Sequence, residues 1–87
     1  MSVNVESTVK DQIREYVKAN MSVFSHVDLK DEDNIFQLGF VTSMFAMQLL
    51  TFIESTFDVE VPDDQILLHN FSTVQRMSEM VGKLSDD

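Results

Sequence analysis

The chain has 87 residues, of which 15 are acidic, 6 are basic and none is cysteine, so its formal net charge is −9. Without cysteine it has neither a disulfide framework nor a thiolate metal site, and its negative charge opposes non-specific binding to nucleic acid. Because 44% of the residues are hydrophobic, the composition is too apolar for a disordered acidic tail. We therefore expect residues 1–87 to fold as a single domain.

The first predicted element is an amphipathic helix, and a long loop follows it. Apolar residues recur near the start of the chain at spacings of three and four: Val9, Ile13, Tyr16, Val17 and Met21. This spacing, with charged residues between, predicts a helix with one buried face. From residue 22 to 41 the periodicity is lost, which predicts a loop of about 20 residues, longer than is usual in a small domain. We expect Phe36 and Leu38 to anchor this loop on the core.

A second, strongly apolar helix is predicted from Ser43 to Thr56. Its core-facing residues are Leu49, Leu50, Ile53 and Phe57. Further apolar residues lie on its other sides: Met44, Phe45, Met47 and Phe52. Two interpretations remain open. Either the helix is buried on most sides, with the methionines as adaptable filler, or part of its surface contacts a partner. The candidates for partner contact are Met44, Phe45, Met47, Thr51 and Glu54.

The rest of the chain predicts one short and one longer helix. A short helical segment is predicted over residues 64–69, after Pro62. The run from Ser72 to Gln75 has the form of a capping box. A last helix is indicated by an apolar stripe: Val74, Met77, Val81 and Leu84. Residues 57–61 alternate too briefly to predict a strand. The predicted fold is therefore all-α, a small four-helix bundle of three longer helices and one short one, with a long loop after the first helix.

The start of the chain and its apolar runs bear on location. The segment MSVNVESTVKDQ lacks the basic start and the apolar core of a signal peptide. No apolar run approaches the roughly 20 residues of a membrane span. We therefore expect a cytoplasmic protein without a membrane partner.

In their order along the chain, these features resemble the acyl and peptidyl carrier proteins of fatty acid, polyketide and nonribosomal peptide synthesis. The similarity covers residues 9–84. Besides the first helix and the long loop, it rests on the following stretches: LG at 38–39, the serine at 43, FIESTFDVEVPDD at 52–64 and NFSTVQRMSEMV at 70–81. The spacing from Gly39 to Ser43 is similar to a motif that reads G-hydrophobic-hydrophobic-Asp-Ser-Met and is often found in small stand-alone carriers.

The resemblance implies a cofactor, an attachment site and a set of partners. Ser43 would carry a 4'-phosphopantetheine arm, attached by a phosphopantetheinyl transferase, and the thiol of the arm would hold an acyl or aminoacyl group as a thioester. The other partners implied are an acyl- or aminoacyl-loading enzyme and downstream synthase or tailoring enzymes. The protein itself would be a monomer without catalytic activity. The form of the motif favours a specialised polyketide or nonribosomal peptide pathway and leaves the cargo open.

Physical chemistry agrees with attachment at Ser43. A serine in the first turn of a helix places its Oγ beside unsatisfied backbone amides and the positive end of the helix dipole, where a phosphodiester anion is stabilised. The cofactor would also supply the thiol that a cysteine-free chain lacks.

The sequence departs from the family pattern at two points. Thr42 stands where the resemblance leads us to expect Asp, an acid that caps the helix and helps to hold the magnesium ion of the transferase. Threonine also caps helices, with a somewhat weaker preference, but it supplies no charge.

The second departure is in the distribution of charge. Acidic residues are concentrated at 28–33 and 58–64 rather than along helix two, which favours apolar partner contacts on the helix and electrostatic contacts at its ends. An alternative therefore stays open, a cofactor-free interaction or regulatory module that has kept the carrier fold.

Other chemistry finds little support in the sequence. His26 and His69 are far apart and lack metal-ligand spacing. The stretch GFVTSM is not a nucleophile elbow. The acidic run that begins at Asp28 lacks the glycine and the closing glutamate of a calcium loop. We predict no metal site and no catalytic residue.

Overall fold

The computed structural model describes residues 5–24 and 26–85, and within them every regular element is helical. Three α-helices span Val5–Ala19 (α1), Phe45–Phe57 (α2) and Val74–Ser85 (α3). Short 3₁₀ turns occupy Ser22–Phe24, Asp63–Gln65 and Leu68–Phe71. The prediction of an all-α fold is confirmed. The predicted short helix over residues 64–69 is replaced by the last two 3₁₀ turns, so the four-helix description does not hold in detail.

The core forms where α1 packs against α3. The predicted apolar face of α1 is buried, and its partners come from every helix and from the loops. The most completely buried large side chains are Phe71, Ile13, Met21, Leu29, Ile35, Leu49, Ile53 and Met77. Tyr16 stacks on Phe52 with ring centroids 4.1 Å apart and lies 5.6 Å from the Phe45 ring. This aromatic stack joins α1 to α2.

The long loop is anchored through Ile35, a residue that the sequence analysis did not single out. Ile35 is fully buried, and its backbone N–H donates to the Ser72 carbonyl at 2.9 Å. Phe36 packs against the core as expected. The prediction for Leu38 was wrong, because its side chain is 52% exposed. The turn after Ile35 directs the isoleucine inward and leaves Leu38 at the surface.

A polar contact fixes the same loop to two helices. Arg14 on α1 pairs with the Asp31 carboxylate, and its Nε donates to the Leu29 carbonyl at 3.2 Å. The Asp31 carbonyl accepts the N–H of Gln75, in the first turn of α3, at 3.0 Å. Asp31 is therefore a structural member of an acidic segment in which Asp28 and Glu32 are exposed.

The start of α3 is capped one residue later than the sequence suggested. Thr73 Oγ1 accepts the backbone N–H of Arg76 at 3.0 Å, as an N-cap side chain does. Ser72, predicted as the first residue of a capping box, instead donates its hydroxyl to the His69 carbonyl at 2.7 Å. The helix begins at Val74 because Thr73 satisfies the free amide.

Candidate functional site

Ser43 lies in the turn that leads directly into α2. The sequence placed the start of the helix at Ser43, whereas the structure begins it at Phe45. The intervening turn is already helical in direction, since the Phe45 N–H donates to the Thr42 carbonyl at 3.0 Å and the Ala46 N–H to the Ser43 carbonyl at 3.1 Å. Ser43 is exposed, so its hydroxyl stands at the N-terminal end of α2 and is accessible to a partner.

Two backbone amides beside Ser43 are unused. Among the described residues, the N–H groups of Ser43 and Met44 have no hydrogen-bond partner, and no side chain caps the helix. The hypothesis that Thr42 caps with its side chain does not hold, because Thr42 contributes its backbone carbonyl instead. Free amides and the helix dipole make this end of α2 locally positive. An anion attached to Ser43 Oγ would be stabilised there.

The approach to Ser43 is fixed by a compact turn. The N–H groups of Phe40 and Val41 both donate to the Ile35 carbonyl, at 3.0 and 3.3 Å. Gly39 completes the turn with φ of +77°, a backbone conformation that side-chain-bearing residues adopt with strain. Because Ile35 is buried, the turn holds Ser43 at a fixed place relative to the core.

Three of the predicted partner-contact residues form an exposed surface on α2 and its N-cap residue, Met44. Met44, Met47 and Thr51 are all exposed, and their spacing of three and four places them on one side of the helix. We call these three residues the exposed α2 face. Met44 is 81% and Met47 60% exposed, although apolar side chains of this size are usually buried. The Thr51 hydroxyl donates to the Met47 carbonyl at 3.2 Å.

The other two predicted contact residues have structural roles. Phe45 is only 6% exposed and belongs to the core, so its assignment to partner contact was wrong. Its spacing of four from Leu49, and of eight from Ile53, is a core signal that the sequence contained. Glu54 is partly buried, and its Oε2 accepts the Val61 N–H at 2.9 Å. Loss of this bond would leave a buried amide unsatisfied, at a cost of about 1–3 kcal/mol.

The structure also exposes apolar residues that the sequence analysis did not single out. Leu67 and Leu68 are exposed at and beside the third 3₁₀ turn. The signal was two adjacent leucines in a segment too short to bury both. His26 and His69 are at the surface, as expected. Within residues 5–24 and 26–85, no group of three potential metal ligands could hold an ion, and no helix is long and apolar enough to cross a membrane.

Comparison with known proteins identifies the family. Residues 11–81 match the family described as "Phosphopantetheine attachment site", so the chain belongs to that family. The chain is also similar to the D-alanyl carrier proteins of two strains of Lactobacillus delbrueckii subsp. bulgaricus, each 29% identical over 56 residues. The aligned region covers 64% of this chain and 70% of each relative. No solved structure matches this chain significantly.

Membership of this family settles three points. The cofactor is covalently attached 4'-phosphopantetheine. The protein is a carrier and not itself an enzyme. The resemblance seen in the sequence is confirmed. The residues around Ser43 suit the phosphate end of the cofactor, because an exposed hydroxyl stands beside two free amides at a helix N-terminus.

Proposed function

We propose that Ser43 is the attachment residue and that the protein holds an acyl or aminoacyl group as a thioester and delivers it to biosynthetic enzymes. The observation that supports this most directly is the exposed serine beside two unused amides, inside the range that matches the attachment-site family. The family match also favours the carrier over the cofactor-free interaction module. We also propose that the protein is a monomer and is located in the cytoplasm.

The position of Ser43 indicates which groups the cofactor would supply and which the chain would supply. When attached, the cofactor supplies the thiol on which cargo is carried as a thioester, a group that the chain lacks. The Ser43 Oγ would hold the phosphate, and the amides of Ser43 and Met44 would stabilise its charge. The turn anchored by Ile35 keeps the attachment point in place relative to α2.

The partners would bind around the same helix. We propose that the phosphopantetheinyl transferase, the loading enzyme and the downstream synthase or tailoring enzymes contact the exposed α2 face. Two apolar anchors with polar surroundings suit contacts that form and dissociate repeatedly. The flanking carboxylates are largely exposed: Asp28, Glu32, Asp58, Glu60, Asp63 and Asp64. They would attract partners with basic surfaces and speed their association.

For the cargo, we propose a specialised polyketide or nonribosomal peptide pathway. D-alanine is a second candidate, because the two Lactobacillus relatives are named D-alanyl carrier proteins. The test incubates the phosphopantetheinylated protein and ATP with separate enzymes that activate D-alanine, other amino acids and carboxylic acids. We expect one enzyme to add a single acyl or aminoacyl group that hydroxylamine releases. Loading by D-alanine alone would favour the second candidate.

The controls in that experiment use the unmodified protein and a known carrier. The unmodified protein should gain nothing, because it has no thiol. If a broad panel loads the known carrier and never loads this one, the proposed carrier function is contradicted.

The missing acid at position 42 gives a separate prediction. Thr42→Asp should raise kcat/KM for modification by a magnesium-dependent transferase about three- to tenfold, through a favourable charge at the helix N-terminus and a contact to the magnesium ion. The measurement is the initial rate of mass gain. Thr42→Asn is the matched control, because asparagine has nearly the same shape as aspartate without its charge. This variant should be modified at a rate near that of the wild type. Equal rates for Asp and Asn would show that the missing charge is unimportant.

A further inference from the structure

The five methionines of the described residues fall into two sharply different environments. Met44 and Met47 are 81% and 60% exposed beside Ser43. The other methionines of the described residues lie in the core, with at most 7% exposure: Met21, Met77 and Met80. Because methionine oxidation follows access to the oxidant, a mild peroxide should reach Met44 and Met47 before the three methionines in the core. The chain offers no cysteine to compete for the oxidant.

We propose that Met44 and Met47 are a reversible oxidation site that controls docking at Ser43, an inference that rests on the proposed function. Each thioether sulfur forms one S–O bond with an oxygen atom from hydrogen peroxide. The O–O bond breaks, the peroxide is reduced to water, and the sulfur loses two electrons. The sulfoxide is polar, so the step removes the apolar anchors of the exposed α2 face and leaves only Thr51, which is already polar. A methionine sulfoxide reductase reverses the step with two electrons from a dithiol reductant: the S–O bond breaks, the oxygen leaves as water and the dithiol becomes a disulfide.

The fold should tolerate this modification. Both side chains point into solvent, so the new oxygen atoms meet water rather than the core. The residue between them that does belong to the core, Phe45, is not oxidised by mild peroxide and keeps its packing against Tyr16. The effect is therefore confined to the surface that a partner would contact.

The first part of the test maps the oxidised residues. The unmodified protein is treated with dilute hydrogen peroxide, the peroxide is removed, and peptides are analysed by mass spectrometry over time. Among the described methionines, Met44 should gain oxygen fastest and Met47 next, each at least about tenfold faster than Met21 or Met77. Similar rates for exposed and buried methionines in the folded protein would overturn the proposal.

The second part measures docking. The doubly oxidised protein should be modified by the phosphopantetheinyl transferase with kcat/KM lowered about tenfold or more, since each apolar contact of this size contributes roughly that factor. Treatment with the reductase should restore the rate. The matched control is Met44→Leu/Met47→Leu, which keeps the apolar surface without sulfur, and peroxide should leave its rate unchanged.

The outcomes separate this inference from the proposed function. Normal modification of the fully oxidised protein, or equal slowing of the leucine variant by peroxide, would overturn the oxidation site alone. Failure of the untreated protein to be modified at Ser43 would contradict the proposed function and the control of docking with it.

Discussion

Replacing Ser43 with alanine is expected to abolish phosphopantetheinylation and to leave the fold intact. Attachment needs the Ser43 Oγ, and alanine removes that atom. The side chain is exposed, so the free energy of unfolding should change by no more than about 0.5 kcal/mol. Intact mass after incubation with coenzyme A and a transferase measures the first effect. Thermal unfolding followed by circular dichroism measures the second.

The matched control is Ser55→Ala, because Ser55 is also an exposed serine and lies on α2, near its C-terminal end. This variant should be modified at the wild-type rate. Persistent modification of Ser43→Ala would move the attachment site to another hydroxyl, which peptide mapping would locate. Loss of modification in both variants would point to damage to the helix instead.

Replacing Phe71 with alanine is expected to produce the largest loss of stability. Phe71 is 1% exposed and closes the third 3₁₀ turn, which packs against both α2 and α3. A phenylalanine removed from such a site typically costs about 3–5 kcal/mol, and small domains have only about 5–15 kcal/mol in total. The unfolding midpoint should therefore fall by at least about 12 °C, measured by circular dichroism.

Phe24→Ala is the control for that prediction. Phe24 is in the first 3₁₀ turn and is exposed. Its ring packs at a tilt against the ring of Phe40. Its loss should cost less than about 1 kcal/mol. Equal midpoints for the two variants would contradict the position that the structure gives to Phe71 in the core.

The helices that carry one buried face could be predicted from the sequence. On α1, Val9, Ile13 and Val17 are buried as expected and Tyr16 packs partly buried against the core, because the charged residues between them exclude any other orientation. On α2 the same argument failed for Phe45, because apolar residues surround that helix and overall hydrophobicity does not distinguish its faces. Spacing alone did distinguish them, since Phe45, Leu49 and Ile53 recur every four residues.

Contacts between distant residues could not be predicted. Ile35 rather than Leu38 anchors the loop because of a hydrogen bond to Ser72, far along the chain. Glu54 accepts a hydrogen bond from the amide of Val61, seven residues away. These pairs depend on how the segments meet in three dimensions, and the loop has no periodicity that would reveal them. The attachment residue stays a prediction, based on motif and exposure.

The most direct test of the carrier function is the intact mass of the wild-type protein after incubation with coenzyme A, magnesium and a broad-specificity phosphopantetheinyl transferase. We predict a gain of one phosphopantetheine group, located by peptide mapping at Ser43. An unchanged mass, from a protein shown to be folded and with a known carrier fully modified in the same tube, would contradict it.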